Sequence, residues 1–247
     1  MSGQNGAAIF LSVYGEVTAR HNRSFVPEEA AAGISEATGA DIEDVRTMLQ
    51  HPPAAGSLYP DVPGFLTGLA ATDGQHVSIW TQGEMATAQG GPGYQVKKIG
   101  QAGISGMLNP GGWRTENRAV GLPRVLGDIY DKSIALPGIV AALVEADFES
   151  VVIVDDSPTN HARARQTLQG EGWDAVEHFL MARSGVNGHR GGETPLSVVE
   201  SFDEISLEGY AGSRVLWLLD LDYTLIDHKQ VVELYSRRME ELTGITA

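Results

Sequence analysis

Asp220 and Asp222, two positions apart, close the apolar run Val215–Leu219, and Thr224 follows them. Five consecutive large apolar residues read as a strand buried on both faces, as in a parallel sheet. At the C-terminal end of such a strand the chain turns away and both carboxylates can converge on one point, which is where open α/β sheets bind ligands. The competing reading, an acidic loop after a core strand, leaves Leu221, Tyr223 and Leu225 exposed without a reason. Three other apolar stretches end in polar residues. Ser150 to Val154 runs into Asp155 and Asp156, with Asn160 beyond; His76 to Trp80 runs into Thr81, Gln82 and Gly83; Arg124 to Tyr130 leads to Lys132. If the sheet is parallel, all four ends lie along one edge. Converging carboxylates need a cation, and hard oxygen ligands select Mg²⁺. A hydroxyl and an ammonium beside them suit a phosphate, which needs donors and countercharge. One carboxylate free to attack phosphorus gives an aspartyl-phosphate. Lys98 and Lys97 rival Lys132 as the phosphate-side lysine, and Thr81 can also be read as a turn cap.

The elements that must position these groups alternate strand and helix from Tyr59 onward, the signature of a parallel α/β sheet. Asp61 and Pro63 open a helix carrying Phe65, Leu66 and Leu69. A helix is expected over residues 84–89, interrupted at 90–93 and resuming toward Ile99. Residues 104–108 are apolar and of open type, and 109–122 read as a long loop. Helices follow Lys132 and Asn160. Residues 173–176 suggest a further strand and 196–202 an edge strand. Residues 185–193 form a polar, Gly-rich loop whose centre, 188–192, reads as flexible. Residues 208–213 look like a linker.

The first fifty residues read as three helices. Ile9, Phe10, Val13, Tyr14 and Val17 share a stripe; Pro27 and Gly39 bound a second helix; Asp41 caps a third. A last helix covers 229–242. These segments hold too few large apolar residues to stand alone and are expected to pack as a small cap.

Composition narrows the function. A chain of 247 residues can form one large domain or a core with a small second one. Its net charge of −15, from 32 acidic and 17 basic residues, argues against nucleic acid as a partner and weakly against anionic membranes. With no cysteine, disulfides, thiol catalysis and Cys-zinc sites are excluded. Residues 1–8 lack the pattern of a signal peptide, and no run reaches the ~18 apolar residues of a membrane helix, so a cytoplasmic location is expected.

At this point the residues match a family. Leu218-Leu-Asp220-Leu-Asp222-Tyr-Thr224-Leu-Ile-Asp227 resembles the first motif of the haloacid dehalogenase (HAD) superfamily of phosphohydrolases. Ser78-Ile-Trp-Thr81-Gln-Gly83 looks like the second, Lys132 the third, and Val151-Val-Ile-Val-Asp155-Asp156-Ser-Pro-Thr-Asn160 the fourth. The first and fourth are specific; the others mean little alone. The resemblance implies that Asp220 is the nucleophile and Asp222 the general acid and base. It implies that Thr81, with the amides of Gln82 and Gly83, holds the phosphoryl group, while Lys132 offsets charge. Mg²⁺ is implied on Asp220, the backbone carbonyl of Asp222, Asp155 and Asp156. Thr224 supports the motif, and Asn160 orients the acidic loop. An acid at Asp222 marks phosphoryl chemistry rather than dehalogenation. None of the seven histidines is assigned; His21 and His161 read as solvated or structural.

The motif order differs from the family, where the DxDxT strand normally comes first. Here the order is second, third, fourth, first, as in a circular permutant. Joining Ala247 to Met1 restores a helical insertion between first and second motifs, resembling the helical cap called C1. The expectation is a doubly wound, Rossmann-like α/β core over 59–227 and a cap from 1–58 together with 228–247. The expected activity is Mg²⁺-dependent hydrolysis of a small phosphorylated metabolite. The alternatives are a phosphotransferase or mutase, or a non-catalytic scaffold. Nothing in the sequence indicates an oligomeric state or the substrate's identity.

Overall fold

The computed structural model describes residues 6–21, 25–86, 90–108, 116–117, 122–128, 130–183 and 196–245. The expected Gly-rich loop 185–193 lies outside the described residues, as does most of the expected loop 109–122.

Three helices come first, α1 (Gly6–Arg20), α2 (Pro27–Thr38) and α3 (Ile42–Leu49). Their ends follow local chemistry. Pro27 sits in the first turn of α2, where its missing N–H costs nothing, and Gly39 ends that helix at φ 75°, a left-handed conformation that favours glycine. The Asp41 carboxylate caps α3, accepting from Glu43 N at 2.8 Å and Asp44 N at 3.3 Å.

Alternation then begins with α4 (Val62–Ala71), β1 (Gln75–Gln82), α5 (Tyr94–Gln101) and α6 (Ile104–Leu108). A two-stranded antiparallel pair follows, β2 (Glu116–Asn117) and β3 (Leu122–Pro123), and then β4 (Val125–Asp128). A 3₁₀ turn at Lys132–Ala135 leads into α7 (Pro137–Glu145), β5 (Ser150–Asp155), α8 (Pro158–Gly170), β6 (Val176–Met181) and β7 (Ser197–Val199). The chain closes with β8 (Val215–Leu219) and α9 (His228–Thr243).

Six strands form one all-parallel sheet in the order β4-β1-β8-β5-β6-β7, a Rossmann-like core. The last strand made is central: β8 pairs with β1 on one side and with β5 on the other. Its alternating side chains explain why. Val215, Trp217 and Leu219 join the apolar layer containing Phe65, Leu66 and Leu69 of α4. Leu216 and Leu218 face the opposite layer with Ile139 and Leu143 of α7 and Leu168 of α8. Burying each such side chain is worth roughly 1.5–3 kcal/mol, so β8 anchors both layers.

Helices from the two ends of the chain pack together. α1 lies against α9 and α2, and α3 against α2 and α9. The rings of Phe10 and Tyr235 are 5.4 Å apart, and Tyr235 donates to the Leu49 carbonyl at 2.9 Å. Gly6 N donates to Ile245 O at 2.9 Å, which brings the ends of α1 and α9 side by side. Phe10, Ile34, Leu49 and Tyr235 belong to the same apolar cluster as Ile79 and Trp217, so this helical layer is fused to one face of the sheet.

Several expectations are corrected. Residues 84–86 form a bend and a bridge rather than a helix; Gly93 N bonds to Met85 O at 2.9 Å, and the helix starts only at Tyr94. The remainder of that expected segment, 87–89, lies outside the described residues. The strand expected at 173–176 begins at Val176, because Trp173 closes the preceding helix by bonding to Leu168 O. The 208–213 linker is packed: its Tyr210 ring lies 4.9 Å from that of Trp217, and its hydroxyl donates to Glu177 at 2.6 Å.

Candidate active site

The C-terminal ends of β1, β8 and β5 lie side by side and carry Thr81, Asp220 and Asp155. Beside Thr81 the packing is close: a Cβ on Gly127 of β4 would overlap the Thr81 carbonyl. The next turn also requires glycine. Gly83 has φ 137°, and the space a Cβ would take is filled by Gln95, whose Nε2 donates to Gln82 O at 2.7 Å. Gly83, expected as a phosphate donor, instead gives its N–H to Asp128 O at 3.1 Å. Thr81 and Gln82 face the cleft, while Gly83 shapes the loop behind them.

Lys132 joins the acidic strand ends. Its Nζ is 2.5 Å from Asp155 Oδ2, bonds to Asp220 Oδ1, and donates to the Trp80 carbonyl at 3.2 Å. The Trp80 ring supports the same ammonium from 4.4 Å, and its indole N–H donates to Lys132 O at 2.8 Å. Burial opposes the charge on Lys132, but Asp155 and Asp220 overcome it and hold its pKa above the usual lysine value. The opposite holds for Asp220. Burial, together with the charges of Asp155 and Asp156, pushes it well above the usual carboxylate range despite Lys132.

Asp155, Asp156 and Asp220 each offer an oxygen within 4.8 Å of the others. Two buried carboxylates share one ammonium with a third beside them, and all the side-chain donors are hard oxygens. These residues fit a divalent cation such as Mg²⁺. Asp155 is held by Ser157 N at 2.8 Å and by Asn160 Nδ2 at 3.0 and 3.2 Å. Beneath it, His161 Nε2 meets Asp155 O at 3.1 Å and His161 Nδ1 meets His178 Nδ1 at 3.0 Å. Both rings are buried. This matches the structural reading of His161. His21 is paired with Glu29 at 2.7 Å.

Asp222 has different surroundings. Its side chain stands outside the three-carboxylate cluster, and its Oδ1 takes Lys98 Nζ and His228 Nδ1, the latter at 3.0 Å. Burial would raise its pKa, but Lys98 and then His228 hold it far below the usual carboxylate range. The two lysines pair with different acids: Lys132 with Asp220 and Asp155, and Lys98 with Asp222.

The turn between the two acids and α9 is tight. Tyr223 has φ 62°, and Leu225 N and Ile226 N both donate to Leu221 O, at 3.0 and 2.9 Å. Leu221 and Leu225, which an acidic loop would expose, are both fully buried. Thr224 is buried too, and its Oγ1 makes no hydrogen bond among the described residues. Its carbonyl accepts from Arg183 Nη2 at 2.9 Å.

Thr81, Lys132, Asp156, Asp220, Lys98 and Asp222 line one cleft of ≈ 760 Å³, which Tyr14, Gly15 and Thr18 of α1 also line. Sequence reasoning missed three participants. Tyr14 reads as part of an apolar stripe, yet its hydroxyl is 2.6 Å from His228 Nε2. His228 carries no motif signal; it follows Asp227, whose carboxylate caps α9 by accepting from Lys229 N at 3.1 Å. Arg183 lies next to a segment with no recognisable pattern. No family model, curated protein or solved structure matches the chain.

Proposed function

We propose that this chain is a Mg²⁺-dependent phosphohydrolase that cleaves a small phosphomonoester through a phospho-Asp220 intermediate. The observation that carries the reading is the Lys132 ammonium bonded to both Asp220 and Asp155 at the ends of adjacent strands, with Thr81 and Asp156 lining the same cleft. It gives one spot a nucleophile, countercharge and a hydroxyl donor. Asp155, Asp156 and Asp220, with the Asp222 carbonyl, would hold Mg²⁺, which supplies charge stabilisation at the phosphoryl oxygens.

An Asp220 oxygen bonds to phosphorus as the bond to the leaving oxygen breaks, and Asp222 gives that oxygen a proton. Thr81 donates to the phosphoryl group, and Lys132 offsets charge between it and Asp220. Water then attacks phosphorus, its proton passes to Asp222, and the bond to Asp220 breaks to release phosphate. Lys98 and His228 favour the carboxylate form of Asp222, which is the form that acts as base in the second step. The proton it passes to the leaving oxygen in the first step is therefore taken from substrate entering as the phosphate monoanion, and the one it takes from water is returned to solvent.

On this reading the motifs, which resemble those of the HAD superfamily, run in circularly permuted order, with residues 59–227 forming the core and 1–58 with 228–247 the cap. The adjacency of Gly6 and Ile245 supports it, since it makes α9 and α1 neighbours across the present termini. Cutting between surface helices breaks no sheet hydrogen bonds, and such sites tolerate permutation.

The test is a panel of phosphomonoesters with Mg²⁺ or with EDTA, comparing the parent with Asp220→Asn. Phosphate release that needs Mg²⁺ and falls to background in the variant is the expected result. Activity that survives in Asp220→Asn, or that ignores EDTA, overturns the mechanism. Transfer to an added sugar acceptor in place of water would assign a phosphotransferase.

A further inference from the structure

Tyr14, His228 and Asp222 form a hydrogen-bonded chain between two helices that come from opposite ends of the polypeptide. The Tyr14 hydroxyl lies 2.6 Å from His228 Nε2, and His228 Nδ1 lies 3.0 Å from Asp222 Oδ1. The directions of these bonds follow from the partners. Asp222 Oδ1 takes the Lys98 ammonium and so accepts, and it is the closer of the two groups at His228 Nδ1, at 3.0 Å against 3.3 Å for Lys98 Nζ, so Nδ1 carries a proton toward it. Burial, first of all, keeps the Tyr14 hydroxyl protonated, so Tyr14 donates to Nε2. An imidazole fixed at both nitrogens has one tautomer and one ring orientation.

The grip is one-sided. Lys98 and His228 both hold Oδ1, and none of the described residues hydrogen-bonds to Oδ2. Asp222 is a quarter exposed at its side chain, into the cleft that it shares with Asp220. Two bonds to one oxygen leave the other presented to the cleft at a fixed angle. His228 is the first residue of α9, and Tyr14 lies mid-way along α1, which packs against α9. The orientation of Asp222 therefore depends on α1 being docked.

We infer that His228 is a positioning residue for Asp222, and that Tyr14 completes this arrangement from the helical layer, so that docking of α1 is needed to aim the base at the water that hydrolyses phospho-Asp220. The inference rests on the phosphohydrolase reading above. The reaction at issue is that reading's second half: water bonds to phosphorus, its proton goes to Asp222, and the phosphorus–Asp220 bond breaks.

The substrate for the test is 4-nitrophenyl phosphate, whose leaving group departs without a proton from the protein. A misaimed Asp222 then slows hydrolysis of the phosphoenzyme but not its formation. In His228→Leu the steady-state rate should fall about 10²-fold, the lower end for loss of general-base catalysis. Acid-quenched phosphoenzyme should rise above the parent's level, with a burst of nitrophenolate. His228→Asn places an amide N–H near the position of Nδ1–H and should recover most of the rate. Tyr14→Phe removes only the hydroxyl, keeps the ring packing, and should slow the rate several-fold with the same accumulation.

A fall in rate with no accumulation, or His228→Leu and Tyr14→Phe variants that turn over like the parent, overturns the inference. Should His228→Leu fail to fold, Tyr14→Phe decides by the same two readouts. A parent that forms no phosphoenzyme and releases no phosphate refutes the phosphohydrolase reading itself, which is a separate outcome.

Discussion

Arg183 reaches Asp61 across 122 residues and places Nη1 3.0 Å from each of its carboxylate oxygens. Its Nε and Nη2 donate to the Thr224 carbonyl at 3.2 and 2.9 Å, and its guanidinium lies 3.9 Å from the centroid of the Tyr59 ring. Asp61 is held in turn by Ser201 Oγ at 3.0 Å and Phe202 N at 2.7 Å. This buried pair ties the turn after Asp222 to the start of α4 and to the segment after the edge strand.

Removing one partner of such a pair strands the other charge out of water. Arg183→Met should destabilise the fold by about 3–5 kcal/mol, and Asp61→Leu by a similar amount. The double variant should lose much less than the sum of the two, because neither charge is left unpaired. Urea unfolding of the four proteins measures the coupling. Additive losses would show that the pair contributes no mutual stabilisation.

Asp220→Asn should separate stability from activity. The substitution removes one of three crowded carboxylates, so in EDTA the variant should melt at or above the parent's temperature. In Mg²⁺ the parent should gain about 2.7 kcal/mol at a hundredfold excess over the dissociation constant. The variant should gain much less. Thermal melts in the two buffers read the crossover, and a parent indifferent to Mg²⁺ would count against the metal site.

His178 is pushed down to about 3 by burial, with the charges of His161 and Arg165 adding to it. It is therefore neutral in the fold down to low pH, whereas the unfolded chain takes up a proton near the ordinary value of 6.5. Between those values the unfolded state binds more protons, so the contribution is complete above pH ~6.5 and is lost as pH falls toward 3. Unfolding midpoints at pH 7, 6 and 5 should fall with acid, and His178→Leu should flatten that slope by less than about 1.4 kcal/mol per pH unit. An unchanged slope would show that His178 takes up its proton over the same pH range in the folded and unfolded chains.

The position of β8 makes opposite predictions for two rearranged chains. Deleting residues 207–247 removes the central strand and α9, so the remainder should not fold, as far-UV and near-UV circular dichroism would show. Joining residue 247 to residue 1 through a short linker and opening the chain at 208–213 keeps every strand, and Gly6 N already meets Ile245 O. That relinked protein should fold with a melting temperature within a few degrees of the parent's. A folded deletion, or an unfolded relinked chain, would contradict the arrangement described.

The acidic ends of β8 and β5 and the threonine of β1 are legible in the sequence because apolar runs of strand length stop abruptly at polar residues. The parallel architecture then brings those C-terminal ends to one edge. Helix boundaries at Pro27, Gly39 and Asp41 are legible for a similar reason, since each reflects chemistry within a few residues. Segments whose structure depends on distant partners are less so. Residues 84–86 look helical, yet the Gly93 amide and Gln95 hold them in a bend. Residues 208–213 look like a linker, yet Tyr210 packs against Trp217 of the central strand.

What the sequence by itself determined is the alternation of strand and helix and the identity of the acids, threonine and lysine at the strand ends, because hydrophobic period and local termini are short-range properties. What only the tertiary structure decided is which charge meets which. Lys132 bonds to Asp220 and Asp155, Lys98 bonds to Asp222, and Tyr14 reaches His228 across 214 residues. A helical stripe records that a side chain is covered, but not by what. The partner is set by how α1, α5 and α9 pack over the sheet edge, and that packing sums many weak contacts spread along the whole chain.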